Sequence, residues 1–314
     1  MVQDYRYLNE WTIKNNYPLP LISDVLENIE TKKLFTKMDL RWGYNNVKIK
    51  EGDEWKAAFM TPEGPFEPTV MFFGLTNLLA TFQAMMNELL RDLINTGKVV
   101  AFIDDVIIGI ETEEGHNELA AEVIRRLEET DLYVKPEKCK WKVREVGFLG
   151  VVIGPEGIKI EEEKVKGVLE WLMPKYVKDV QKFLGLVNYY CRFIEGFASI
   201  ARSLHDMVKK DKKWDWIEKQ EEAFKEKFTK EPVLAAPDLD KKMRMEVDAL
   251  DHATGGMLLM ECEDGLWRPV AFLSKSLNEM ERNYKIHDKE ILVIIRGLES
   301  WRHLLKGAQS KFEI

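Results

Sequence analysis

Three aspartates stand where chemistry could be done. Asp39 closes the apolar run through Leu34, Phe35 and Met38, and Asp104 and Asp105 sit between the two apolar, β-branched runs of VVAFIDDVIIGI. Aspartate is an ordinary turn residue, so each alone reads equally as a solvated turn. Two adjacent like charges between buried strands repel one another, however, and a cation is the usual relief for such a cluster. Carboxylate oxygens at low protein coordination suit Mg²⁺, whose remaining positions are filled by water and substrate phosphates. Two such ions roughly 3.5–4 Å apart can clamp the attacking and leaving oxygens of a phosphoryl transfer.

The elements around these residues must position them. The segment 35–59 reads as strand, turn, strand: Asp39 ends a buried strand, Gly43 turns the chain, and Val47 and Ile49 alternate with Lys48 and Lys50. Leu75, Leu78, Leu79, Phe82, Met85, Met86, Leu89, Leu90 and Leu93 predict one long amphipathic helix over 75–94, stopped by Gly97, with its Met and Leu stripe packed in the core. VVAFIDDVIIGI predicts a tight hairpin carrying both carboxylates at its tip. Leu119, Val123, Ile124 and Leu127 mark a further helix, and 161–213 is helical in pattern with a break at Pro174. The run Lys209, Lys210, Lys212, Lys213 reads as a solvated loop or as a track for a nucleic-acid backbone. Pro232 and Pro237 mark a boundary. Beyond it come strands in MRMEVDA, GGMLLMEC and LWRPVAFLS, an Asp264-Gly265 hairpin turn, and a helix over 285–305.

A length of 314 residues suggests two or three domains. With 45% hydrophobic residues, nine Trp and fifteen Phe, wholesale disorder is excluded. A net charge of −8 argues against a protein that grips nucleic acid with its whole surface and leaves room for a local basic cleft. Cys139, Cys191 and Cys262 are odd in number and lack metal-binding spacing, so a reducing compartment is the natural reading. The amino terminus is charged from its fourth residue, and no apolar run approaches a membrane span. The expectation is an intracellular protein, cytoplasmic or nuclear, neither secreted nor bound to a membrane.

The segments TKMDLRWGYNNVKIKEGDEWKAAF, FGLTNLLATFQAMMNELLRDL, FIDDVIIGIETEEGH, LYVKPEKCKWKVREVGFLG and FLGLVNYYCRFI resemble, in order and spacing, the reverse transcriptase of gypsy-type LTR retrotransposons. The piece MRMEVDALDHATGGMLLME through RNYKIHDKEILVII is similar to the amino-terminal half of the RNase H domain that follows the polymerase in those pol polyproteins. The resemblance implies an α+β fold: right-hand polymerase palm, fingers and thumb, followed by a truncated RNase H-like α/β domain. The boundaries it implies are partial fingers and palm over 1–155, a helical thumb and connection over 156–232, and the RNase H-like domain over 233–314. It implies RNA-directed DNA synthesis, with dNTPs added to a primer on an RNA or DNA template. Asp39, Asp104 and Asp105 become the catalytic carboxylates holding two Mg²⁺, with Mn²⁺ as a substitute. Tyr44 is implied as the gate against a 2′-hydroxyl, Phe73, Gly74 and Gln83 as support for nucleotide and template, and Lys138 as a cation at the triphosphate. Phe148, Leu149 and Gly150 become the primer grip, and Asp248 and Glu290 the first two RNase H carboxylates.

Against the family pattern, an upstream basic strand pair is expected to be missing, and Phe72, Leu78 and Leu79 replace two prolines and an alanine. The third RNase H aspartate is expected to lie beyond the residues at hand, so no RNase H activity is expected. Partners implied are primer–template, dNTPs and, where flanks exist, other pol polyprotein domains. The rival expectation is a catalytically inactive remnant or a domesticated nucleic-acid-binding protein.

Overall fold

The computed structural model describes residues 3–208, 225–226, 233–308 and 312–314. The chain divides into two units, 1–146 and 147–314. In the first, two helices, α1 (Arg6–Trp11) and α2 (Ile22–Ile29), lead into strand β1 (Leu34–Asp39). A small hairpin of β2 (Phe59–Thr61) and β3 (Gly64–Phe66) follows. Then come α3 (Leu78–Leu89), α4 (Arg91–Asn95), β4 (Val99–Phe102), β5 (Asp105–Ile110), α5 (His116–Glu129) and β6 (Lys140–Val143).

The apolar strands assemble as one sheet in the order β4-β5-β1-β6, with β1 antiparallel to both neighbours. Because side chains alternate across a strand, Met38, Val106 and Ala101 share one face. That face packs against Phe82 and Met86 of α3 and Val123 and Leu127 of α5. Each such fully buried side chain contributes about 1.5–3 kcal/mol, which is why the helical stripes read from sequence point inward.

Three expectations change in detail. The helix over 75–94 is two helices separated at Leu90, and it starts at Leu78 because Phe72–Asn77 form turns. The second strand within 35–59 reduces to a single bridge, Lys48 to Val70, beside a short 3-10 turn over Gly43–Asn46. The hairpin tip is Ile103-Asp104, whereas Asp105 is already the first residue of β5, opposite Phe102.

The second unit begins with a three-stranded sheet of β7 (Val146–Phe148), β8 (Val151–Gly154) and β9 (Gly157–Ile160). Helices α6 (Glu162–Leu169), α7 (Val177–Tyr189) and α8 (Phe197–Met207) follow, as the helical pattern predicts. An antiparallel sheet of β10 (Met243–Ala249), β11 (Ala253–Glu261) and β12 (Trp267–Ser276) comes next; the turn between the last two is centred on Glu263-Asp264, one residue before the expected Asp264-Gly265, with Gly265 following at φ 76°. It is covered by α10 (Ile286–Ser300), preceded by α9 (Glu279–Arg282) and followed by α11 (Arg302–Gly307). The lysine run 209–213 and Pro232 lie outside the described residues. Among the described residues no helix is long and apolar enough to cross a membrane, and the three cysteines form no disulfide.

Candidate active site

Strand register brings the carboxylates together. Asp39, the last residue of β1, stands directly opposite Asp105, the first residue of β5. Both project from the face opposite Met38 and Val106. Residues so paired hold their Cβ atoms about 4.5–5.5 Å apart, and like charges there destabilise the pair. Three lysines answer that charge. Lys135 Nζ lies 2.6 Å from Asp39 Oδ1, Lys138 Nζ lies 3.8 Å from Asp39 Oδ2, and Lys37 Nζ lies 3.2 Å from Asp105 Oδ2. Burial pushes the Asp105 carboxyl above the usual carboxylate range; Lys37 opposes the shift, and Asp104 and Asp39 add to it.

Asp104 is carried by the turn itself. Its carbonyl accepts from the Leu40 N–H at 2.9 Å, which ties the tip to the chain leaving β1. The other tip residue, Ile103, has φ 55°, a left-handed conformation that is costly for a β-branched side chain. Gln83 of α3 holds it there. The side chain is fully buried (0% exposed); its Oε1 accepts from the Ile103 N–H at 2.7 Å, and its Nε2 donates to the Ala101 carbonyl at 2.9 Å. Nε2 also donates to Asn87 Oδ1 at 2.9 Å, and Asn87 Nδ2 donates to the Tyr17 hydroxyl at 2.8 Å. Gly43 packs beneath the same tip: a Cβ there would lie 2.8 Å from Phe82 Cζ and 3.4 Å from Asp104 Cβ.

The remaining expected residues are placed as follows. Tyr44 lies in the 3-10 turn Gly43–Asn46, with its side chain outside the described residues. Phe73 is 65% exposed. Gly74, at φ 101°, accepts at its carbonyl from Asn9 Nδ2 at 2.7 Å. In the second unit Phe148 is buried, and Leu149 and Gly150 turn the chain with φ 51° and 82°. The Tyr189 hydroxyl donates to the Leu149 carbonyl at 2.6 Å, and the Tyr190 hydroxyl to that of Gly150 at 3.4 Å. Asp248 on β10 lines a cleft with Glu195, Ser199 and Glu246, while Glu290 is exposed on α10; no described hydrogen bond or ion pair joins the two.

Sequence reasoning missed Lys37 and Lys135. The first was readable, since it stands two residues before Asp39 and must share its face. Nothing local announced the second.

Among the described residues no three His, Cys, Asp or Glu side chains stand together as a ready-made metal cage. The donor set nonetheless fits Mg²⁺, which binds through one or two carboxylates and takes its other oxygens from water and phosphate. Asp39 and Asp105 supply that pair on one sheet face, already balanced by cations.

The sheet thus presents paired carboxylates beside an Asp-bearing hairpin. Residues 1–153 match the family model for reverse transcriptase (RNA-dependent DNA polymerase), and residues 216–314 match that for the RNase H-like domain found in reverse transcriptase. The Tf2-3 and Tf2-7 transposon polyproteins of Schizosaccharomyces pombe are each 35% identical over 317 residues, covering all of this chain. The chain spans about a quarter (24%) of those relatives' length. The foamy viral protease-reverse transcriptase matches with TM-score 0.79 at 21% identity in complex with RNA/DNA hybrid, over 99% of this chain and 42% of that one. A second structure of it, with double-stranded DNA, matches with TM-score 0.85 at 20% identity, over 98% and 54%. The chain thus carries a reverse transcriptase domain over residues 1–153 and, after it, the RNase H-like domain found in reverse transcriptase over 216–314, and it is similar along its whole length to retrotransposon polyproteins.

Proposed function

We propose that this chain is an RNA-directed DNA polymerase that adds dNTPs to a primer on an RNA or DNA template. The observation that carries the reading is the Asp39–Asp105 register pair, held on one sheet face with Asp104 on the adjoining turn. In this reading Asp39, Asp104 and Asp105 hold two Mg²⁺ or Mn²⁺ ions, which when bound neutralise charge on the triphosphate and orient the primer 3′-hydroxyl. The chain's own residues do the positioning. Lys138 pairs with Asp39 Oδ2 at 3.8 Å on a side chain that is 60% exposed, so it can exchange that contact for the triphosphate. Tyr44 borders the sugar, Phe73 and Gly74 line the nucleotide, and Gln83 supports it through the hairpin. Phe148, Leu149 and Gly150 meet the primer backbone. In domain terms, 1–155 act as fingers and palm, 156–232 as thumb and connection, and 233–314 as an RNase H-like domain without cleavage activity.

The test is primer extension with Mg²⁺ and dNTPs, with Asp104→Asn as control. Extension by the wild type and loss of at least about 10²-fold in the variant are expected, since little catalysis survives misplacement of the reacting groups. Equal incorporation by both would remove the assigned site. Salt-dependent binding of an RNA–DNA duplex without incorporation would select a binding protein instead. Cleavage of the hybrid, lost in Asp248→Asn, would overturn the assignment of an inactive RNase H-like domain.

A further inference from the structure

Lys135 is joined to Asp39 twice. Its N–H donates to the Asp39 carbonyl at 2.8 Å, and its ammonium donates to Asp39 Oδ1 at 2.6 Å. The first bond follows from local sequence. Pro136 forces the preceding residue out of the helical region, and Lys135 is extended at φ −94°, ψ 99°. The chain on either side is pinned as well: Leu40 bridges Val134, the Arg41 N–H donates to the Tyr133 carbonyl at 2.6 Å, and the Lys135 carbonyl accepts from the Lys138 N–H at 3.0 Å. The Lys135 and Asp39 side chains are 24% and 19% exposed, so solvent screens the pair less than an ordinary surface contact. Lys138 differs: it stands 3.8 Å from the other oxygen on a mostly exposed side chain.

This arrangement leaves neither Asp39 oxygen without a cation. A divalent ion must therefore exchange with an ammonium, and the ammonium hardest to displace is the anchored one. We propose that Lys135 is the resident counter-ion of Asp39, and that it sets the affinity of this site for a divalent cation by competing for Oδ1. The inference rests on the reading of Asp39 as a metal ligand. Lys135 acts through Asp39 and is a positioning residue.

The test measures Mn²⁺ uptake by the full chain without nucleotide or primer, from the electron paramagnetic resonance of free Mn²⁺. Lys135→Gln is expected to tighten Mn²⁺ binding by roughly five- to tenfold, the lower end of coupling between ligands that share a group. Lys138→Gln should change it less than about twofold, as exposed pairs do. In an Asp39→Asn background the Lys135→Gln effect should vanish, because a double-mutant cycle isolates the pair. Unchanged or weaker binding in folded Lys135→Gln, with binding that still depends on Asp39, overturns the proposal alone. Wild-type uptake indifferent to Asp39→Asn overturns the metal reading with it. Should Lys135→Gln not fold, Lys135→Arg decides: its fork can engage both Asp39 oxygens, so Mn²⁺ must bind at least about twofold more weakly. Unchanged affinity there refutes the competition.

Discussion

Replacing Gln83 by Leu separates two roles that its position allows. The side chain fills the same space, but the Ile103 N–H and the Ala101 carbonyl lose partners at 2.7 and 2.9 Å. An orphaned buried group costs about 1–3 kcal/mol. Ala101 is buried, whereas Ile103 is half-buried and can recover part of the loss from water. Ile103 also loses the bond that stabilises its left-handed backbone, a conformation worth about 1–2 kcal/mol of strain. The net expectation is about 2–3 kcal/mol. For a unit of this size each kcal/mol moves the melting temperature about 2–4 °C, so a fall of about 4–12 °C is expected by circular dichroism. Activity should fall in a distinctive way. A displaced Asp104 lowers kcat by one to two orders of magnitude, since about 1 Å of misplacement can cost about 10²-fold. KM for the dNTP should stay within about twofold, because the amide faces the hairpin and is fully buried. Adding Ile103→Gly should restore part of the melting temperature by removing the strain. An unchanged melting temperature with a raised KM would refute this reasoning and place Gln83 at the nucleotide.

Other outcomes follow from the same geometry. Burial raises the Asp105 carboxyl above its unfolded 3.8, so its ionised form costs stability at neutral pH, and stability is regained as the pH falls through the raised value towards 3.8. Asp105→Asn should therefore stabilise the chain in chelator by about 0.5–2 kcal/mol and flatten that part of a melting-temperature series against pH; a destabilised variant would contradict it. His116, at the start of α5, is lowered from 6.5 by burial, with Lys142 adding to the shift; its Nε2 lies 3.2 Å from Thr36 Oγ1, and its buried Nδ1 has no hydrogen-bond partner among the described residues. Its neutral form contributes stability that is full above 6.5 and is lost as the pH falls through the folded value, so melting temperature should drop on acidification below 6.5 and less so in His116→Gln. Tyr189→Phe removes the bond to the Leu149 carbonyl, worth about 0.5–1.5 kcal/mol. Primer–template should dissociate faster with KM for dNTP unchanged, and equal dissociation rates would detach this turn from the primer.

The sequence announced strands and helices wherever burial repeats with a clean period. Met38, Val106 and Val123 were recognisable as core because strand and helix periods put them on faces that had to be covered. It failed at Leu90, where apolar residues continue through a break between two helices, and at Val47–Ile49, whose alternation earns only one bridge. It also placed Asp105 at a tip where it is a strand residue, because a two-residue turn of Ile103 and Asp104 requires a left-handed isoleucine that no propensity would choose. Gln83 shows the same limit: its effect depends on a turn twenty residues away.

That misfit bears on how the site is built. Asp39 and Asp105 belong to a hydrogen-bonded ladder and are held by Lys135, Lys138 and Lys37, so their spacing survives without a ligand. Asp104 rides on a turn kept in a costly conformation by one buried amide. Strain of this kind persists only where surrounding structure over-determines it. Here the surroundings are the Gln83 amide, the Leu40 N–H and the close face of Gly43. The acidic total charge of −8 is thus a poor guide to this sheet end, where three lysines pair with Asp39 and Asp105. On the proposed competition, a cation entering there would replace an existing ion pair, and the displaced ammonium would set the binding energy as much as the carboxylates.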